Sequence, residues 1–240
     1  MRSFLLAVFF LALQLSASAA EKTRVLLVTG GHGFEKPQFF KLFDDNASIA
    51  VTKAEHEKTS ATVFDRADLL SFDVVVLYDM PAVITDAQKK NFLALFEKGV
   101  GLVVLHHALC SYQDWPDYER IIGGRYPVPP KGQPQVTDQV GYKHDEEVPI
   151  VITAKDHVIT SGIADFTVHD EIYWGVRVSS DVLPLFTTTH VRSFKPLAWT
   201  RTERKSRVVY MQLGHDHQAW EHPNYPVLLS RCITWAASPH

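Results

Sequence analysis

Three short, unbroken apolar runs constrain this chain more than anything else in it. Residues 24–28 (RVLLV), 73–78 (DVVVLY) and 101–105 (GLVVL) show little polar alternation, so each reads as a strand buried on both faces. Amphipathic stretches separate them. Residues 36–46 carry Phe39, Phe40, Leu42 and Phe43, and a stretch opened by the cap Thr85-Asp86 runs to about residue 98 with Phe92, Leu93, Leu95 and Phe96 inward. Buried strand alternating with amphipathic helix is the pattern of a parallel sheet covered by helices. Residues 61–64 read as a weak strand, residues 196–200 and 207–213 as the last strands, joined by the charged hairpin 201–206, and residues 224–237 as a closing helix. Residues 125–147 hold Pro127, Pro129, Pro130, Gly132 and Pro134 without a helical period and read as a surface excursion. Alternating segments at 149–153, 163–168 and 182–187 suit antiparallel additions to the sheet. No internal repeat or low-complexity tract interrupts this order, so residues 21–240 read as one domain.

The first twenty residues belong to a different pattern. Arg2 is followed by an apolar run over residues 4–15 and then by Ser16-Ala17-Ser18-Ala19-Ala20, the order of a secretory signal peptide with cleavage near Ala19 or Ala20. A run of about 12 residues is short of the roughly 20 that a membrane span needs. The expectation is an exported protein, periplasmic or secreted, with no membrane attachment after cleavage. Without residues 1–20 the net charge of -3 becomes -4, and a mildly acidic domain is a poor nucleic-acid binder. Cys110 and Cys232 could form one bridge, but a core of this size does not require it, and two buried thiols are the expectation.

The 12 histidines are informative through their positions. His32 follows the first strand, His106 and His107 follow the run 101–105, and His215 and His217 follow the last strand. In an open parallel sheet the carboxyl ends of the strands border one crevice, where ligands bind. Each group has a plainer reading beside the functional one. The turn Gly30-Gly31-His32-Gly33 either cradles an anion or only turns the chain. One of His106 and His107 must face the core side as the chain leaves its strand. His215-Asp216-His217 could be a polar turn, although nearby Trp220 and Tyr225 suit a sugar or small polar ligand. His56, His157, His190 and His240 read as surface residues.

His169-Asp170-Glu171-Ile172-Tyr173-Trp174 is the second informative stretch. Two acids between aromatic residues, after a strand-like segment, can supply a general acid or base whose pKa the aromatic neighbours shift by desolvation. The plainer reading is a solvated strand end with Tyr173 and Trp174 in the core.

These residues also carry a resemblance. The blocks LLVTGGHGFE (26–35), GLVVLHHALCSY (101–112), GGRY (123–126), DHVITSGIADFTVHDEIYW (156–174) and RVVYMQLGHDHQAWEHPNY (207–225) are similar to the ThuA-like (trehalose utilisation) family, in its order and over nearly the whole chain after residue 20. The resemblance implies a class I glutamine amidotransferase-like fold, a flavodoxin-like three-layer α/β/α sandwich with a mostly parallel sheet, and a link to carbohydrate metabolism. Amidotransferases of that fold carry a nucleophilic Cys at the sharp turn after a central strand and a His after a late strand. Here His106 stands where that Cys would be and His215 where that His would be. Cys110 falls about one helical turn, roughly 5 Å, further on. That separation disfavours Cys–His acyl chemistry, because nucleophile and base must meet within about 3 Å.

The expectation is therefore an enzyme acting on a disaccharide or an oxidised (keto) sugar. His106, Glu171 and His215 are its acid/base groups, and Gly31, His32, His107, Tyr173, His217 and Trp220 bind substrate, with Tyr173 and Trp220 as an aromatic platform. A divalent metal held by His32, His106, His215 and Glu171 could oppose a developing oxyanion, although no paired-ligand motif on one element supports it. The alternative is a non-catalytic sugar-binding or regulatory module that kept a pocket and lost its chemistry. Several groups titrating near neutrality in one crevice favour the enzyme. The expected partner is a small carbohydrate, and a homo-oligomer is compatible with the sequence.

Overall fold

The computed structural model describes residues 21–57 and 60–238, so the signal peptide expected at 1–20 and the surface position expected for His240 lie outside the described residues. The strands are β1 (Thr23–Gly30), β2 (Ile49–Glu55), β3 (Val74–Asp79), β4 (Gly101–Leu105), β5 (Gly124–Arg125), β6 (Gly141–Ile152), β7 (Phe166–Trp174), β8 (Arg177–Val178), β9 (Leu183–Thr188), β10 (Ala198–Glu203) and β11 (Ser206–Met211). The helices are α1 (Lys36–Asp44), α2 (Asp86–Lys98), α3 (Pro116–Ile122), α4 (His217–Trp220) and α5 (Asn224–Ala237).

The main sheet has the order β2-β1-β3-β4-β11-β10-β9-β6-β7. Its first five strands are parallel neighbours. The other four continue it antiparallel. Every residue of β3 and β4 is buried, as their unbroken apolar runs require. A Val or Leu fully withdrawn from water contributes about 1.5–3 kcal/mol, which makes these two strands the centre of the core. Helix α2 starts at the expected Thr85, whose hydroxyl accepts the Gln88 N–H while the Gln88 side chain accepts that of Thr85.

Two expectations need correction. Residues 61–64 are not a strand: Thr62–Asp65 is a single 3-10 turn that buries Val63 and Phe64. The second strand is β2, at a sheet edge where only one neighbour is paired and polar Lys53 and Glu55 face outward, so its sequence lacks a clear apolar signal. The excursion expected over 125–147 stops at residue 140, because β6 begins at Gly141. Its acidic run hides a strand bent by an irregularity between Lys143 and Glu146, with Asp145 at φ +59°.

The early start of β6 positions the site. β6 pairs with β9 only through Ile150–Ile152, while residues 141–150 pair with β7. The β6–β7 arm thus extends beyond β9, and Asp170 and Glu171 lie within β7 rather than after a strand. Asp170 accepts the backbone N–H groups of Gly214 (2.8 Å) and His215 (3.0 Å), joining the arm to the carboxyl end of the parallel strands.

Candidate active site

The site is built where β4 ends. His106 begins a 3-10 turn (His106–Cys110) and adopts φ +48°, a left-handed conformation that costs a residue with a Cβ about 1–2 kcal/mol. The turn directs the imidazole of His106, which is 0% exposed, between β11 and the β7 arm. Its Nδ1 lies 2.6 Å from the carbonyl oxygen of Gln212. A carbonyl only accepts, so Nδ1 carries a proton and donates it. The other nitrogen, Nε2, faces Glu171 Oε2 (2.9 Å), the Tyr173 hydroxyl (3.1 Å) and His215 Nδ1 (3.3 Å). His215 Nδ1 is itself 3.2 Å from Glu171 Oε2. The three residues expected to carry the chemistry, His106, Glu171 and His215, therefore meet at one point.

Electrostatics follow from burial and contact. Burial opposes the charge on Glu171, but the hydrogen bonds from His106 and His215 outweigh it and hold the carboxyl well below its ordinary range. For His215, burial favours the neutral ring, yet its bond to Glu171 and the charges of Glu171, Asp170 and Asp216 raise its pKa. Burial pushes the Asp170 carboxyl up, opposed by the charge of His106 and by backbone N–H donors from His215, Gly214 and Glu171.

The other expected residues are dispersed around this point. His107 points to the core side, buried against the edge of Tyr78, and burial keeps its pKa well below the usual imidazole value. His32 stacks on it with ring centroids 4.4 Å apart, its own pKa lowered by burial and by His106. Gly31, at φ +80°, brings its turn so close to the end of β3 that a Cβ would stand 2.4 Å from the Met80 carbonyl oxygen, so the turn requires glycine there. Tyr173 belongs to the cluster through its hydroxyl rather than as a stacking platform. His217 turns to Glu35, with Nδ1 3.0 Å from Oε2.

Trp220 is a correction: its indole is 2% exposed, packs against Phe39 and donates to the Gly214 carbonyl at 3.0 Å, so it is no platform for a sugar. His56 is another. It is 3% exposed, and its Nδ1 accepts the Val63 N–H while Nε2 lies 3.1 Å from Asp79 Oδ2. The apolar surroundings of β2 and β3 demand such paired polar groups. His157 and His190 are partly exposed. Cys110 and Cys232 are buried and unbridged, as expected, and burial raises both thiols, Cys232 to about 12.

The sequence reading missed His144 and Gln212. His144 Nδ1 lies 3.3 Å from Glu171 Oε1, and its ring is 4.5 Å from that of His215. Its only signal was one histidine within an acidic segment that lacked strand character. Gln212 meets His106 Nδ1 through its backbone carbonyl at 2.6 Å, which no residue type reveals, and its side-chain nitrogen lies 3.3 Å from the same atom.

Chemically, the cluster can move a proton between a ring nitrogen and an oxygen of a bound molecule, and its three donor atoms, all within 4.8 Å of one another, could hold a metal ion. Among the described residues, no helix is long and apolar enough to cross a membrane.

A ThuA-like protein from Parabacteroides merdae superposes with a TM-score of 0.77 at 19% identity, covering 91% of each chain. One from Bacteroides uniformis gives 0.63 at 16%, covering 92% of this chain and 94% of the other. PurLQS from Thermotoga maritima gives 0.55 at 8%, covering 90% and 99%. These likenesses identify the flavodoxin-like, class I glutamine amidotransferase-like α/β fold. No curated protein matches significantly in sequence. The family model described as ThuA, trehalose utilisation, matches residues 24–236, and the chain belongs to that family.

Proposed function

We propose that this chain is an exported enzyme of carbohydrate metabolism that acts on a disaccharide or an oxidised sugar through His106, Glu171 and His215. The observation that carries this reading is the imidazole of His106 at the sharp turn after β4, with its Nδ1 proton committed to Gln212 and its Nε2 directed at Glu171 and His215. A ring anchored through its Nδ1 proton, with Nε2 within reach of a carboxylate, is suited to proton transfer at Nε2. Cys110 has no part, because its thiol is buried and raised by that burial. The family's association with trehalose utilisation supports a sugar as substrate.

The test is turnover of a panel of disaccharides and their keto derivatives by wild type, His106→Gln and His215→Gln. Loss of turnover by about 10²–10⁴ in both variants, with folding intact, is expected. Sugar binding without turnover by wild type on any member of the panel would show a binding module instead.

A further inference from the structure

We propose that His106 Nε2, His215 Nδ1 and the Glu171 carboxylate are the ligands of one divalent transition-metal ion. Valence at His106 points to an ion. With Nδ1 donating to Gln212, His106 has a single in-plane position left on Nε2, yet three polar atoms approach it within 3.3 Å. One proton or one lone pair cannot satisfy a carboxylate oxygen, a hydroxyl and a second ring nitrogen together. A cation between them serves all at once.

The distances fit coordination as well. The separations among the three donor atoms are 2.9, 3.2 and 3.3 Å. Ligands about 2.0–2.1 Å from an ion stand about 3.3 Å apart in a tetrahedron and about 3.0 Å apart in an octahedron. The cluster already has the edge lengths of a coordination polyhedron.

The surroundings are those of a ligand set. A metal-binding histidine usually donates its other N–H to a carbonyl or carboxylate, as His106 does to Gln212. The second oxygen of Glu171 is approached by His144 Nδ1 at 3.3 Å, and the Asp170 carboxylate fixes the backbone of His215. No lysine or arginine pairs with Glu171 or Asp170 among the described residues. Two imidazoles and one carboxylate favour zinc, iron or manganese over calcium or magnesium, and three protein ligands leave a position for a sugar oxygen. His32, expected as a fourth ligand, stacks on His107 instead.

Binding of the ion stands on geometry alone, and its use rests on the proposed sugar chemistry. There the ion would supply Lewis acidity toward a sugar oxygen, with His106, Glu171 and His215 holding it.

The experiment measures the metal content of the full chain purified without tag or chelator, then titrates the chelator-treated protein with Co²⁺ and follows visible absorption. Wild type is expected to take up one equivalent. Glu171→Gln and His215→Ala should bind at least about tenfold more weakly, while His157→Ala, whose ring packs on Trp235 away from the cluster, binds as wild type does. Circular dichroism checks that each variant is folded. Absence of copurified metal together with no Co²⁺ uptake below millimolar concentration overturns the proposal, as does unchanged affinity in the two ligand variants. Sugar turnover that survives complete chelation removes the ion's role but leaves the enzyme, whereas stoichiometric Co²⁺ without turnover of any sugar removes the enzyme but leaves the ion.

Discussion

The carboxylate of Asp170 accepts the backbone N–H of His215 at 3.0 Å, so a strand at the sheet's edge sets the position of a residue that follows its central strand β11. Oδ1 also accepts the N–H of Glu171, and Oδ2 accepts that of Gly214, both at 2.8 Å. An amide in place of the carboxylate has one oxygen and leaves one of these N–H groups facing an NH₂. Asp170→Asn is therefore expected to lower stability by about 1–3 kcal/mol and to weaken whatever depends on His215. Denaturant unfolding measures the first effect, and Co²⁺ affinity or turnover the second. An unchanged unfolding midpoint would refute the argument.

His106 occupies a left-handed conformation where glycine is unstrained. Both His106→Ala and His106→Gly remove the imidazole and leave a similar void. The glycine variant is nevertheless expected to be the more stable by about 1 kcal/mol, the reverse of their order in an ordinary strand or helix. Comparing the two denaturant midpoints decides it.

Buried thiols raised by burial are poor nucleophiles, so Cys110 and Cys232 should resist iodoacetamide in the folded protein and react once it is unfolded. Mass spectrometry reads both states. Cys110→Ala should keep the turnover of wild type, and its loss in a folded variant would restore a role for sulfur.

Asp73 is held below its usual carboxylate range by the Arg24 side chain, with which it forms a two-point ion pair. A depressed pKa means that the unfolded chain takes up the proton first. The pair's contribution is thus present above the ordinary carboxylate pKa and is lost as pH falls through the lower value of the folded state. Both side chains are partly exposed, so the effect is about 0–1 kcal/mol. The stability difference between wild type and Asp73→Asn should shrink on acidification and with added salt. A difference independent of pH would exclude the ion pair as its source.

The parallel half of the sheet was legible because its strands are buried on both faces. Continuous apolar runs mark β1, β3 and β4, and the capping residue Thr85 marks the start of α2. Two other strands were not legible in the same way. β2 lies at the sheet's edge with one neighbour, and the first half of β6 is bent within an acidic run, so neither shows the apolar pattern of a buried strand.

His106, Glu171 and His215 stood out by residue type and by place relative to strands, and the three do converge. Trp220 and His56 show the limit of that reading. An aromatic near a site can belong to the core, and a polar ring can be buried when a partner such as Asp79 waits there.

The sequence by itself determined which strands form the centre and which side chains leave their carboxyl ends, because burial and chain direction are local consequences of residue order. Only the tertiary structure decided that β6 and β7 extend beyond β9, that Glu171 and His144 reach His106 from that arm, and that Gln212 orients the ring. Those contacts join residues far apart in the chain, and the strand register and the backbone carbonyl that bring them together leave no mark in residue identity.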